Sequence, residues 1–345
     1  MGGRPAPERA LTAGHIADPA RPAGSGPDSA ERERAGLYGP GSEAWRLNRE
    51  AALLLGAGPR ALLLQIAHPL VAEGVDQHSD FRADPWARLA GTLRSYLRIV
   101  YGTGTTARAE IRRLNGLHRT IGGPVRDEAT AAAFGEAYEA RDPALALWVH
   151  ATLVDSTLAT GGAWLGPIPR DVRARFYAET MPIARLFGVP EALLPADIEA
   201  FDAYIASMVG PDGPVHPTAT ARDLALVILH PPLAPAVSSG PIAARLGGLA
   251  GPTAAVLRAI PAVAYDWLLV PSIGLLPPSM RDEYGLAWGP RERVIDAWLM
   301  SSWGFWRERL PTAWRWFPQA LAADRRLAEP GNLAPPLRVG RQPVA

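Results

Sequence analysis

The chain has 345 residues, 48% of them hydrophobic and 20% charged, and carries a net charge of +1. That is enough apolar content for a sizeable core, and too balanced a charge for a largely disordered chain or a nucleic-acid footprint. It contains no cysteine and all 35 basic residues are arginine, which excludes disulfides, thiolate-held metals and haem, and every Schiff-base, P-loop or catalytic lysine.

Residues 1–36 are rich in Pro, Gly, Ala, Arg and Glu, lack apolar periodicity, and read as a disordered tail. They hold no apolar segment of the signal-peptide kind and no twin arginine, so secretion is not expected. No uncharged apolar run reaches the roughly 18 residues that a spanning helix needs. The expectation is a soluble, cytoplasmic protein without a transmembrane segment, with peripheral membrane contact left open.

From there nearly everything reads as helix. Ser42 to about Leu55 forms one, stopped by Gly56 and Gly58, and residues 59–67 a second, ended by His68 and Pro69. The stretch from His68 to Asp80 reads as a loop. Asp84 caps a helix with Pro85 at its first position. That helix carries Leu89, Leu93, Tyr96, Leu97 and Val100 on one side and stops at Gly102. Thr105 or Thr106 opens the next, with Ile111, Leu114, His118 and Ile121 on one stripe, and Gly122–Gly123 closes it. Asp142–Pro143 opens another, with Leu145, Trp148, Val149, Thr152 and Leu153 at helical spacing. Further helices are expected near 170–187, 195–209, 218–230, 252–270, 279–285, 290–307 and 312–327, with proline recurring between them. Residues 331–345 read as an extended Pro-rich tail. The sum is an all-α protein, one large multi-helix domain over residues 37–330 between two tails.

Four of the seven histidines lie between positions 68 and 150, so chemistry is sought there. His118 sits on the apolar stripe of its helix and points inward. It is either a core histidine bonded to a backbone carbonyl or a ligand of a metal or haem iron, which needs only one imidazole. Gly122 and Gly123 either let a flat macrocycle approach the backbone or simply stop the helix. Arg88 and Thr92, four apart, share a helix face. Arg88 faces solvent, or pairs with a carboxylate such as a cofactor propionate. Thr92 bonds a ligand, or its own i−4 carbonyl. His68, Glu73, Asp76, His78 and Asp80 crowd one segment. A 2-His-1-carboxylate metal site is one reading of them, but the spacing matches no helical metal pair, and turn and capping roles are the better one. His150 lines a pocket or packs, and His216 and His230 precede prolines at helix boundaries. There is no GxSxG, no GxGxxG after a strand and no Walker A motif.

Four motifs follow in order: HPLVAEGVDQHSDF from position 68, DPWARLAGT from 84 with YGT after it, HRTIGG from 118, and DPALALWVHAT from 142. Together, over roughly residues 44–210, they resemble the DUF2236 family, the oxygenases of the fungal MpaB and bacterial latex clearing protein (rubber oxygenase) type. The last third agrees only in general character. The resemblance implies a globin-reminiscent all-α domain holding haem b, with His118 as proximal iron ligand and Arg88 and Thr92 on the distal side. Characterised members cleave isoprenoid double bonds with dioxygen. Rubber oxygenases carry an iron-binding lysine just before that threonine; here the position is Gly91, so the sixth iron site should be open or water-filled. Asn115 and Gly122 stand where those enzymes have arginines, and Glu73 is the nearest match to their distal acid. The implied activity is that of a haem b oxygenase taking a hydrophobic alkene, isoprenoid- or polyketide-like, and dioxygen. Arg88, Thr92 and Glu73 would be catalytic, with His118, Arg88, Gly122 and His150 around the cofactor. A haem-dependent peroxidase or tailoring enzyme, and a non-catalytic helical protein of the same fold, are the alternatives.

Overall fold

The computed structural model describes residues 29–79, 84–230, 267 and 269–328. Among these the protein is all-α, a single helical domain with one small hairpin. The N-terminal helices are α1 (Ser29–Ala35), α2 (Glu43–Asn48), α3 (Ala51–Ala67), α4 (Pro69–His78), α5 (Pro85–Tyr101) and α6 (Gly104–His118). Strand β1 (Gly122–Pro124) pairs antiparallel with β2 (Ala137–Glu139), with α7 (Glu128–Phe134) between them. Then come α8 (Pro143–Leu165), α9 (Arg170–Leu186), α10 (Ile198–Val209) and α11 (Ala219–Leu229). The C-terminal helices are α12 (Pro278–Tyr284), α13 (Pro290–Arg307), α14 (Thr312–Arg315) and α15 (Pro318–Leu327).

The core is built on α3, which packs along α8 and is crossed by α11. Its apolar residues Leu53, Leu63 and Leu64 are nearly inaccessible. Trp148 of α8 donates from Nε1 to the Leu64 carbonyl at 3.2 Å, and the Tyr284 hydroxyl donates to the Leu63 carbonyl at 2.7 Å. The expected stop at Gly56 and Gly58 does not occur: α3 runs through both and through Pro59. Gly56 is instead a point of close approach, since a Cβ there would lie 3.0 Å from the Thr160 methyl of α8. Burial against α8 outweighs the helix penalty of glycine and proline, about 1 and 3 kcal/mol.

Other boundaries also move for tertiary reasons. The break falls earlier, at Arg49–Glu50, where Glu50 bridges to Trp316 and its buried carboxylate pairs with Arg315 and Arg307. The same contact splits the expected helix over 312–327 into α14 and α15. The stretch after His68 is a helix, not a loop. Pro69 occupies the first position of α4, which meets α3 at 103°. The N-cap of α6 is Thr103, whose Oγ1 accepts from the Thr106 N–H at 3.2 Å. Part of the expected N-terminal tail, Ser29–Ala35, is helical; Glu33 in it accepts from the Thr105 N–H at 2.6 Å and so covers the start of α6. Residues 1–28 and 331–345, and most of the expected helix at 252–270, lie outside the described residues. No single helix among the described residues is long and apolar enough to cross a membrane.

Candidate functional site

Helices α5 and α6 form an antiparallel pair. Its register is set by Glu110, whose side chain is 2% exposed. It accepts from Ser95 at 2.7 Å and from Arg113 at 2.6 Å, and pairs with Arg98 at 3.3 Å. The Arg113 hydrogen bond first, and the Ser95 bond and both arginine charges after it, hold the Glu110 carboxyl below its ordinary range despite burial. Counting back from Ser95 along α5 and forward from Glu110 along α6 brings Arg88 toward His118.

His118 is the last residue of α6 and is half-buried. Its pKa is pushed down by burial and, secondarily, by the positive charge of Arg88. That places the two within electrostatic reach, and no hydrogen bond to its ring is found among the described residues. The imidazole is therefore kept neutral with a lone pair free, which is the form that ligates a metal.

Across from it, Arg88 donates to the Thr92 hydroxyl, and from Nε to Ser79 at 3.3 Å, while Thr92 donates back to the Arg88 carbonyl at 3.1 Å. These three side chains line a narrow pocket of about 450 Å³ of empty space, its mouth included. Helix α4 adds Val71 and Val75, and α5 adds Leu89. The remaining walls are Leu62, Gln65 and Ile66 of α3 and Leu224 and Ile228 of α11. Gln65 is held by Thr152 of α8, to which it donates at 3.1 Å. Arg88 counts as exposed by surface area, yet burial pushes its pKa down, with no carboxylate among the described residues to oppose the shift. Both are true of a group that water reaches only through a recess.

Glu73 does not join this group. On α4 the pocket takes Val71, Val75 and Ser79, and Glu73 and Gln77 lie on the opposite face. Glu73 is 4% exposed and accepts from Gln77 at 2.7 Å and from the Asp127 N–H at 3.3 Å. It ties α4 to the start of α7. Nor do His68 and His78 meet. His78 is exposed and donates to the Gly122 carbonyl at 3.1 Å. Among the described residues no cluster of three or more His, Asp or Glu is placed to hold a metal. Gly122 is accounted for by the hairpin, since a Cβ would come within 2.9 Å of the Tyr138 carbonyl.

Two further imidazoles each have one buried nitrogen without a partner among the described residues. The Nε2 of His150 and the Nδ1 of His68 have no hydrogen bond. Burial pushes His150 down to about 4. His68 goes to about 4 as well, by burial against the pull of Asp142 and aided by His216. His150 shares a face of α8 with Thr157, which is hydrogen-bonded to Tyr96, one turn beyond Thr92 on α5. The His150 face of α8 thus turns toward the Thr92 face of α5. Gly91, in contrast, opens on empty space: a Cβ there would meet only the tip of Arg94, at 3.8 Å.

Sequence reasoning paired Arg88 with Thr92 but missed Ser79 and the α3 and α11 walls. Leu224 and Ile228 lie one turn apart on α11 within the helix expected near 218–230, but nothing local says what they cover.

A family model described as "ER-bound oxygenase mpaB/B'/Rubber oxygenase, catalytic domain" matches residues 45–305. No curated protein and no solved structure matches the chain.

Proposed function

The chain belongs to the mpaB and rubber oxygenase catalytic-domain family, and on that premise we propose that it is a haem b-dependent oxygenase of an apolar alkene. The observation that carries this reading is His118, a half-buried imidazole without a hydrogen-bond partner among the described residues, whose pKa burial and then the charge of Arg88 push down. The chain has neither cysteine nor lysine, so thiolate and amine ligation of an iron porphyrin are excluded. The orphaned Nε2 of His150 on the inner face of α8 also fits a missing polar partner.

When bound, haem b supplies the iron at which dioxygen is activated. The protein's part follows from its own side chains. His118 holds the cofactor. Arg88 presents N–H donors to oxygen atoms in the pocket, and Thr92, whose hydroxyl accepts from Arg88 and donates to its carbonyl, holds the guanidinium in place. The walls from Leu62 to Ile228 exclude water and accept an apolar substrate together with dioxygen. Gly91 puts no ligating side chain beside Thr92, so the distal side stays accessible. Glu73, from the far face of α4, serves by positioning the helix that carries Ser79.

The test is an absorption spectrum of the purified protein after haem supplementation. A Soret band is expected for the wild type and its loss in His118→Ala, with the circular dichroism of the two unchanged. A wild type that takes up no haem would sink the proposal.

A further inference from the structure

The pocket is divided by chemistry. One end is aliphatic, with Leu62, Ile66, Val71 and Leu89 on its walls. At the other stands Arg88, whose side-chain partners are two hydroxyls, Ser79 and Thr92. Two more deeply buried arginines are treated differently, while half-buried Arg281 and Arg326 donate to backbone carbonyls. Arg60, 5% exposed, meets the Asp155 carboxylate at 2.6 Å, and Arg315 meets the buried Glu50. Arg88 has no carboxylate partner among the described residues, and nothing charged offsets the burial that lowers its pKa. A guanidinium in an apolar recess is costly until it is paired. Its planar fork suits a carboxylate, to which it donates two parallel hydrogen bonds. Ser79 takes the Nε hydrogen and Thr92 one of Nη1, which leaves Nη2 without a hydrogen bond among the described residues, in a side chain that lines the pocket.

We infer that Arg88, Ser79 and Thr92 form a carboxylate-binding site, so that the pocket's occupant is an apolar molecule bearing a carboxylate. The narrow aliphatic walls suit the tail of an isoprenoid or fatty acid, whose acid group would anchor the chain and set how deep each of its double bonds lies. A cofactor propionate is the other source of the same group. The inference deepens the function proposed above and rests on it only for the pocket's being the substrate's.

The experiment is calorimetric titration of the full chain, without haem and loaded with haem, using farnesoic acid and, separately, farnesol. The wild type should bind the acid tighter than the alcohol by about ten-fold or more. Arg88→Gln should reduce the acid to the level of the alcohol, with the farnesol heat in the same variant reporting that the pocket is formed. Acid preference in the haem-loaded protein assigns the carboxylate to the substrate. Acid preference in the haem-free protein alone, with haem displacing the acid and binding more weakly to Arg88→Gln, assigns it to the propionate. Equal binding of acid and alcohol in both forms, or a preference that survives Arg88→Gln, overturns the inference. Because the haem-free titration needs no cofactor, a protein that binds the acid but shows no Soret band fails the oxygenase reading alone.

Discussion

Along the seam between α3 and α8, Leu63, Leu64, Trp148 and Ala151 are almost wholly buried, and most polar groups beside them have partners, Thr160 Oγ1 and Trp164 Nε1 excepted. Arg60 is taken up by Asp155, Ser156 and the Leu275 carbonyl, Trp148 by the Leu64 carbonyl, and Ser272 by the Gly56 carbonyl. Along the α5–α6 pair the opposite holds. Among the described residues His118 is half-buried without a hydrogen-bond partner, Arg88 has hydroxyls but no carboxylate, and His150 turns an unbonded nitrogen toward the same side. Leaving a buried polar group unpaired costs about 1–3 kcal/mol. Among the described residues the seam carries that cost only at Thr160 and Trp164, and on the function proposed above a ligand would relieve it along the helix pair. On that reading stability and binding are concentrated in different helices of one domain.

The largest expected effect lies in the seam. Trp148→Ala removes a fully buried indole and its hydrogen bond, and should cost about 3–5 kcal/mol in denaturant unfolding. Haem affinity of the fraction that remains folded should change little. If affinity falls in step with stability, the two regions are one cooperative unit and the contrast between them breaks.

A smaller effect sits at the corner joining them, where His68 ends α3 and precedes α4. Its folded pKa of about 4 lies below the ordinary 6.5, so the unfolded chain takes up the proton first as pH falls. Stability from the neutral His68 is then complete above pH 6.5 and drains away as pH drops toward 4. The loss is up to about 3 kcal/mol. His68→Gln should flatten that part of the stability–pH curve, measured by urea unfolding between those limits. An unchanged slope would mean that another group, His150 first, carries the acid sensitivity.

What was legible in the sequence divides along a related line. The caps at Asp84–Pro85 and Asp142–Pro143 were readable because a carboxylate answers an N–H within three residues. Arg88 and Thr92 were readable as an i, i+4 pair. Gly56 was misread because its reason is distant in sequence, the Thr160 methyl and Trp164 ring of α8. The segment after His68 was misread because its proline begins a helix as well as ending one, and because polar residues on the hairpin side of α4 hide its apolar stripe. Glu73 was placed with Arg88 by motif order, but helical phase puts it on the other face. The three-residue strands β1 and β2 are too short for alternation to be seen. Ser79 and the α11 wall depend on which helices meet, which no local pattern encodes.

The smallest predicted effect compares the two caps directly. Asp84 accepts from the Ala87 N–H at 2.9 Å, and the Arg88 N–H bonds the Asp84 carbonyl at 3.1 Å, so this cap holds the first turn of α5 and with it the guanidinium in the pocket. Asp142 does the same for α8, accepting from the Ala144 N–H at 2.7 Å, with no pocket side chain in its first turn. Asp84→Ala and Asp142→Ala should each cost about 1 kcal/mol of global stability. Only Asp84→Ala should also speed amide exchange at Ala87 and Arg88 and weaken acid binding, because only there does fraying move a ligand-facing group. Hydrogen–deuterium exchange of both variants checks this. Equal exchange at Ala87 and Arg88 in the two would mean that Ser79 and Thr92, rather than the cap, hold Arg88 in place.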